Sequence, residues 1–225
     1  MKMNLITIND LLKAINETLG ATFISTLLAY IVGVPLGTLL YVTGKNGICK
    51  NKVVNAIFGF IVNILRSIPC LLLIVILMPL TRHVFGRATG KWFTIIIPLF
   101  FASFPFVSRM VEQSLQEVDS GVIEAAKSLG ATPFQIIRKV IFSEAKSSLI
   151  SGIGVSAVSI LGYTAFAYEI GAGGLIATAY ARYQLNTSDP WNINIWIIIL
   201  LIIAIVQAIQ EIGQLISKKV DKRRR

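Results

Sequence analysis

Apolar positions in this chain gather in long uncharged runs, with no alternating pattern and few short stripes. No Asp, Glu, Lys or Arg interrupts the 27 residues of 18–44. The run 53–81 is broken only by Arg66. Charge-free runs of 17, 22 and 20 residues follow at 92–108, 147–168 and 191–210, the last rich in isoleucine. About 20 apolar residues in a helix cross a hydrocarbon layer of roughly 30 Å. The pattern predicts an all-α membrane protein with five transmembrane helices, at about 18–44, 53–81, 92–110, 147–168 and 191–212. They form one domain over residues 1–225, with a polar loop at 111–146 as the only long hydrophilic stretch between spans.

Composition agrees. Only 14% of the 225 residues are charged and 55% are hydrophobic, and the mean hydropathy is +0.74, whereas soluble domains carry about 25% charge. The net charge of +10 has an orientational reading, because Lys and Arg collect in cytoplasmic loops. With five spans the termini lie on opposite sides. If the C-terminus is inside, fourteen basic residues lie inside and six outside, with Arg66 within a span. The bias therefore predicts the N-terminus outside, the C-terminus inside and loop 111–146 in the cytoplasm. The tail KKVDKRRR would also meet anionic headgroups, at about 1 kcal/mol per basic residue. The basic balance thus requires no nucleic-acid partner. Cys49 and Cys70 have no CxxC spacing, so neither a disulfide framework nor a metal site is expected. His83 reads as a loop residue. The polar start MKMNLITINDLLKAINETLG lacks the apolar core of a cleavable signal peptide.

Within the loop, IEAAKSLGATPFQIIRKV (123–140) is built as two short helices and a turn. Thr132 can cap a helix, Pro133 takes its first position and Gln135 stands three residues after the cap, which makes a capping box. Gly130 suits the left-handed residue that ends the preceding helix, about 121–129. Phe134, Ile137, Val140 and Ile141 fall on one face of the second helix at a 3.6-residue period, and that helix is expected to run into the fourth span. In the first helix, Ala125, Ala126 and Gly130 leave room for another surface to approach, with Glu124 beside them. Two readings of the residues remain open: a docking element for a soluble partner, or an amphipathic loop lying on the bilayer.

EAAKSLG followed by IIRKVIF, between two spans of a five-span chain, resembles the EAA loop of ABC importer membrane subunits. NILRSIP (63–69), PFVSRMVEQSLQEV (105–118), GVIEAAKSLGATPFQIIRKVIFSEA (121–145) and GAGGL (171–175) narrow the likeness to the methionine-type branch. The resemblance implies a multi-pass permease of the bacterial cytoplasmic membrane that imports a small amino acid, methionine above all. It implies a second copy of the chain, with a pathway between the copies. It further implies separate cytoplasmic ATPase subunits holding ATP and Mg, and an external binding protein. Glu124, Ala125, Ala126, Leu129, Gly130, Ala131, Thr132 and Pro133 would form the ATPase-docking element. Two departures stand out. Phe142 and Ser143 replace a Leu-Pro pair that commonly ends the EAA loop, and Tyr168 and Glu169 precede GAGGL where small or apolar residues are usual. The alternatives are a permease for another small solute and, more distantly, a self-sufficient channel.

No nucleotide site is expected in the chain itself. GRATGKW (86–92) has three residues between its glycines and Trp92 after the lysine, so it lacks the spacing and hydroxyl of a P-loop. Candidate pathway or gate residues are Arg66, Ser67, Pro69, Tyr163, Phe166, Gly171, Gly173 and Gly174. Arg66 could face an interior path or extend to the interface. Tyr163 and Phe166 could wall an apolar substrate. The three glycines could form a flexible outer hinge, and Glu169 could pair with Arg182. Gly33 and Gly37 form a GxxxG pair suited to close helix packing.

Overall fold

The computed structural model describes residues 6–185 and 193–221. Lys2, the expected start of the fifth span at 191 and the last basic residues, 222–225, lie outside the described residues. Every element among the described residues is helical. Helix α1 covers Ile8–Thr43, α2 Lys52–Ser67 and α3 Cys70–Phe85. After a 3-10 turn at Trp92–Ile95 come α4 (Ile96–Gln116) and α5 (Ser120–Ser128). A short α6 (Pro133–Gln135), a π-helical turn (Ile136–Ile141) and α7 (Phe142–Glu144) lead into α8 (Lys146–Tyr163). A 3-10 segment, Thr164–Tyr168, then precedes α9 (Leu175–Leu185) and α10 (Ile193–Val220).

Four of these helical stretches are each long and apolar enough to cross a membrane: α1, the Trp92–Gln116 stretch, the Lys146–Tyr168 stretch and α10. The expected second span differs. Its two halves, α2 and α3, meet at a 105° bend. Ile68 is extended (φ −83°, ψ 122°) and Pro69 stands at the start of the next helix, in line with the steric bias against α conformation before proline. Five spans are reached when this bent pair counts as one. His83 lies in the last turn of α3, where a loop was expected.

Helix α1 begins earlier than its charge-free run, because Thr7 accepts a bond from the amide of Asp10 and caps it. It packs most closely on α4, through the GxxxG pair. A Cβ on Gly33 would lie 2.6 Å from Val107 Cγ1, and one on Gly37 would collide with the Ser108 carbonyl oxygen. Hydrocarbon tails compete with any apolar helix face, so close backbone approach of this kind is a main source of helix–helix attraction in a bilayer. Hydroxyls on these helices turn back to their own backbone: Thr26 donates to the Thr22 carbonyl, Thr38 to Val34 and Ser108 to Phe104, each at 2.7 Å. Such bonds satisfy groups that lipid could not. Phe23, Ile31, Ile76 and Leu200 stay exposed, as lipid-facing side chains should.

The amide of Ile6 donates to Asn194 Oδ1 (2.9 Å), so α1 and α10 begin at the same end of the bundle. At the other end, Ser147 and Ser217 exchange hydrogen bonds and Ser148 donates to Ser114, joining α8, α10 and α4.

Candidate functional site

The polar loop stands at this second end. Asp119 accepts from the Gly121 amide (2.7 Å) and starts α5. The helix closes where Gly130 (φ +76°) and Ala131 return their amides to Lys127 and Ala126. The capping box forms as its sequence predicts. The amide of Thr132 donates to Gln135 Oε1 (2.8 Å), and the Gln135 amide donates back to Thr132 Oγ1 (3.4 Å), with Pro133 in first position.

The two faces of this loop differ from the expected ones. Ile123 points into the core, and Ala126 and Ala131 pack against the same cluster. Of the eight expected docking residues, Glu124, Ala125, Leu129, Gly130, Thr132 and Pro133 therefore face outward. Leu129 is 88% exposed and Phe134 68%, so two large apolar side chains project into solvent. Of the stripe expected through Phe134, Ile137, Val140 and Ile141, the last three do pack on the core cluster, while Phe134 turns outward and Ile136 joins Ile141 as the fully buried pair. The π turn is the cause. Its i→i+5 bonding brings residues five apart onto one side, where a 3.6-residue period would separate them.

Ile123, Ile136 and Ile141 belong to one apolar cluster with Phe104, Val107, Val111 and Leu115 of α4 and Ala29 and Tyr41 of α1. The small loop is thus seated on the core of the two most closely packed helices. Ser143 leaves the chain helical through this region, since the Ala145 amide bonds to the Ile141 carbonyl and Leu149 to Ala145, both at 2.9 Å.

The candidate gate residues fall in three places. Arg66 and Ser67 are exposed at the end of α2, and the Ser67 hydroxyl donates to the Asn63 carbonyl (2.9 Å). Pro69 starts α3, and its carbonyl accepts from Leu72 and Leu73. Tyr163 and Phe166 are half-buried, packed with Cys70, Met78 and Trp92 on a cluster around Ile74, Leu99 and Ile160. The start of α3 and the end of α8 therefore share one apolar surface, while Arg66 and Ser67 stand outside it.

The glycine turn, expected as a flexible hinge, is hydrogen-bonded to α1. Gly171, Gly173 and Gly174 have φ of +61°, +83° and +93°, a region L side chains rarely occupy. Glu17 of α1 accepts from the Gly174 amide (3.0 Å) and Thr18 from the Leu175 amide (2.8 Å). Two α1 side chains thereby cap α9, satisfying amides that a helix start leaves open. Sequence reading missed Glu17 and Thr18; the signal available was a lone carboxylate beside the start of the first uncharged run. The expected Glu169–Arg182 pair is corrected as well: Arg182 faces Asp10 at 3.9 Å. Tyr168, unusual before GAGGL, packs its ring on Tyr180 (4.5 Å between centroids) and donates its hydroxyl to Gln184 (2.5 Å). It ties the 3-10 segment to α9. A cavity of about 690 Å³ lies beside the glycine turn, lined by Asp10, Lys13, Glu17, Lys91, Trp92 and Arg182 among others.

Fold and site together define a multi-pass helical membrane protein whose buried core extends into a compact, capped loop outside the spans. Residues 33–222 match the binding-protein-dependent transport system inner membrane component family, and the chain belongs to it. The probable D-methionine transport system permease protein MetI of Haemophilus influenzae is 40% identical over 209 residues, covering 92% of this chain and 95% of that protein. The methionine import system permease protein MetP of Bacillus subtilis (strain 168) is 44% identical over 187 residues, 82% of each chain. A chain of the MetNI methionine ABC transporter, solved in inward-facing conformations, matches with a TM-score of 0.88 at 35% identity, over 95% of this chain and 97% of that one. The resemblance carried by the EAA-like loop is thus borne out, and the chain is a multi-pass inner-membrane component of an ABC transport system.

Proposed function

We propose that the chain is the membrane-spanning subunit of an ATP-driven methionine importer and works as a homodimer. The observation that carries this reading is the near full-length likeness, in sequence and fold, to permeases named for methionine. Two copies about a twofold axis normal to the membrane would enclose the pathway. Each α5 would seat in a groove of a separate cytoplasmic ATPase, with Glu124, Ala125, Leu129, Gly130, Thr132 and Pro133 as the contact face. ATP and Mg belong to that partner, because this chain has no phosphate-binding loop of the P-loop kind.

The mechanism follows from how α5 is mounted. Ile123 and Ile136 root it in the α1–α4 core, and packed interiors transmit displacement with little compression. ATP binding draws the two ATPases together, and each α5 carries its α1–α4 pair with it. The spans then shift between inward-facing and outward-facing states, as a population change driven by differential binding of nucleotide. Substrate arrives from an external binding protein on the side of the N-terminus, and α5 and the C-terminal tail lie in the cytoplasm. Tyr163 and Phe166 offer apolar, polarisable walls for a thioether.

Two measurements test this reading. Proteoliposomes holding the chain, its ATPase and the binding protein should take up labelled methionine only with ATP. Stronger competition by another amino acid would transfer the cargo to that solute. For sidedness, Ser128→Cys in a Cys49→Ser, Cys70→Ser background should react with an impermeant maleimide only from the cytoplasmic side. Labelling from outside would reject the docking role of α5.

A further inference from the structure

Helix α2 is loosely held for an element that leads to the break at Ser67–Pro69. Only Gly59 and Val62 are buried along it. At its start Asn55 donates to the Leu40 carbonyl (2.7 Å) and Thr43 Oγ1 (3.2 Å), which anchors it to α1. Farther along, its polar tie is to α4 and runs through one side chain. Arg109 donates Nη1–H to Glu112 Oε2 (2.7 Å), and Nη2–H to Asn63 Oδ1 (2.8 Å) and to the Gly59 carbonyl (3.3 Å). The guanidinium spans two helices because its donors are a rigid planar fork, which a lysine could not reproduce. Glu112 balances its charge and is itself met by Gln116 (3.5 Å), one turn nearer α5. Gly59 keeps α2 close at this point, with the position of its missing Cβ 3.5 Å from Arg109 Nη2.

These contacts form a continuous line. It begins at Gln116, the last residue of α4 and four residues before α5, passes back along the last two turns of α4 through Glu112 and Arg109, and crosses to Asn63. Asn63 lies one turn before Ser67, whose hydroxyl bonds its carbonyl. We infer that Arg109 is a positioning residue for transport: it makes α2 follow α4, so that displacement arriving at α5 reaches the bend between α2 and α3. Without it, α4 can move while α2 slips on the narrow Gly59–Val62 contact, and hydrolysis no longer moves the bend. The inference deepens the importer reading and rests on it.

The test uses the assembled complex with its ATPase and binding protein in proteoliposomes. The readout is methionine moved per ATP hydrolysed, which a simple loss of folded protein would not change. Arg109→Gln and Asn63→Ala should each lower that ratio about tenfold, in the usual range for coupling between sites, while the complex still assembles and hydrolyses ATP. Asn63→Asp keeps an acceptor for Arg109 and should stay within about twofold of the unmutated ratio, as exposed substitutions away from a lost contact do. If Arg109→Gln fails to assemble, Asn63→Ala decides, because Asn63 is exposed on α2. An unchanged ratio in both variants overturns the inference. So does a parallel fall of uptake and hydrolysis. Lack of ATP-dependent uptake by the unmutated complex would overturn the importer reading itself, and that control tells the two failures apart.

Discussion

Leu129→Ala should weaken binding of the ATPase without touching the fold of the permease. Leu129 is 88% exposed at the end of α5, and no neighbouring side chain depends on it. Substitution at such a position changes stability by roughly ±0.5 kcal/mol at most. If the side chain is covered by the partner, truncation to alanine removes three buried carbons at about 0.8 kcal/mol each. Scaled by the fraction still free to be covered, the loss is about 2 kcal/mol per docking site. At 1.4 kcal/mol per decade, the dissociation constant should rise roughly 30-fold. The assay is titration of ATPase onto nanodisc-embedded permease immobilised on a sensor, analysed for monovalent affinity because a dimer presents two sites. Thermal unfolding of the permease alone serves as the control. A dissociation constant within about twofold of the unmutated value would refute the reasoning, since a hot-spot contact cannot be removed at no cost.

Other perturbations probe the scaffold that positions this loop. Gly37→Val would set a side chain against the Ser108 carbonyl and Val111 and should cost about 1–3 kcal/mol by overpacking, seen as a lowered Tm in detergent. Thr132→Ala removes the acceptor for the Gln135 amide and should cost about 1 kcal/mol locally, with Thr132→Ser close to unmutated and hydrogen exchange at Gln135 as the readout. Glu17→Ala should speed exchange of the Gly174 amide it now holds, by roughly fivefold per kcal/mol lost. Gly173→Ala adds a left-handed strain of about 1–2 kcal/mol and presses on Glu17, so it should destabilise the same turn.

Length and local chemistry by themselves determined the helical spans and the punctuation of the polar loop. An uncharged run of 20 or more residues has few stable options other than a spanning helix, because lipid offers no partner for an exposed backbone. Thr132, Pro133, Gln135 and Gly130 stop and start helices through bonds to residues three to five positions away, so their effect is readable from spacing. The bend between α2 and α3 was not readable in this way. Pro35, Pro79 and Pro105 all lie inside unbroken helices, so a proline alone does not tell a break from a tolerated interior position. At Pro69 the break leaves the proline exposed and seats Cys70 and Ile74 on the cluster around Leu99 and Ile160. The π turn likewise added Ile136 to the buried face beside Ile141 and left Phe134 outside, because register follows the hydrogen-bond pattern that tertiary packing selects. Glu17 and Thr18 cap a helix 157 residues away, and Arg109 reaches across 46 residues to Asn63. Such pairings exist only once the helices have been brought side by side, since a side chain's partner in space is set by which helix faces meet and leaves no periodic trace in the chain.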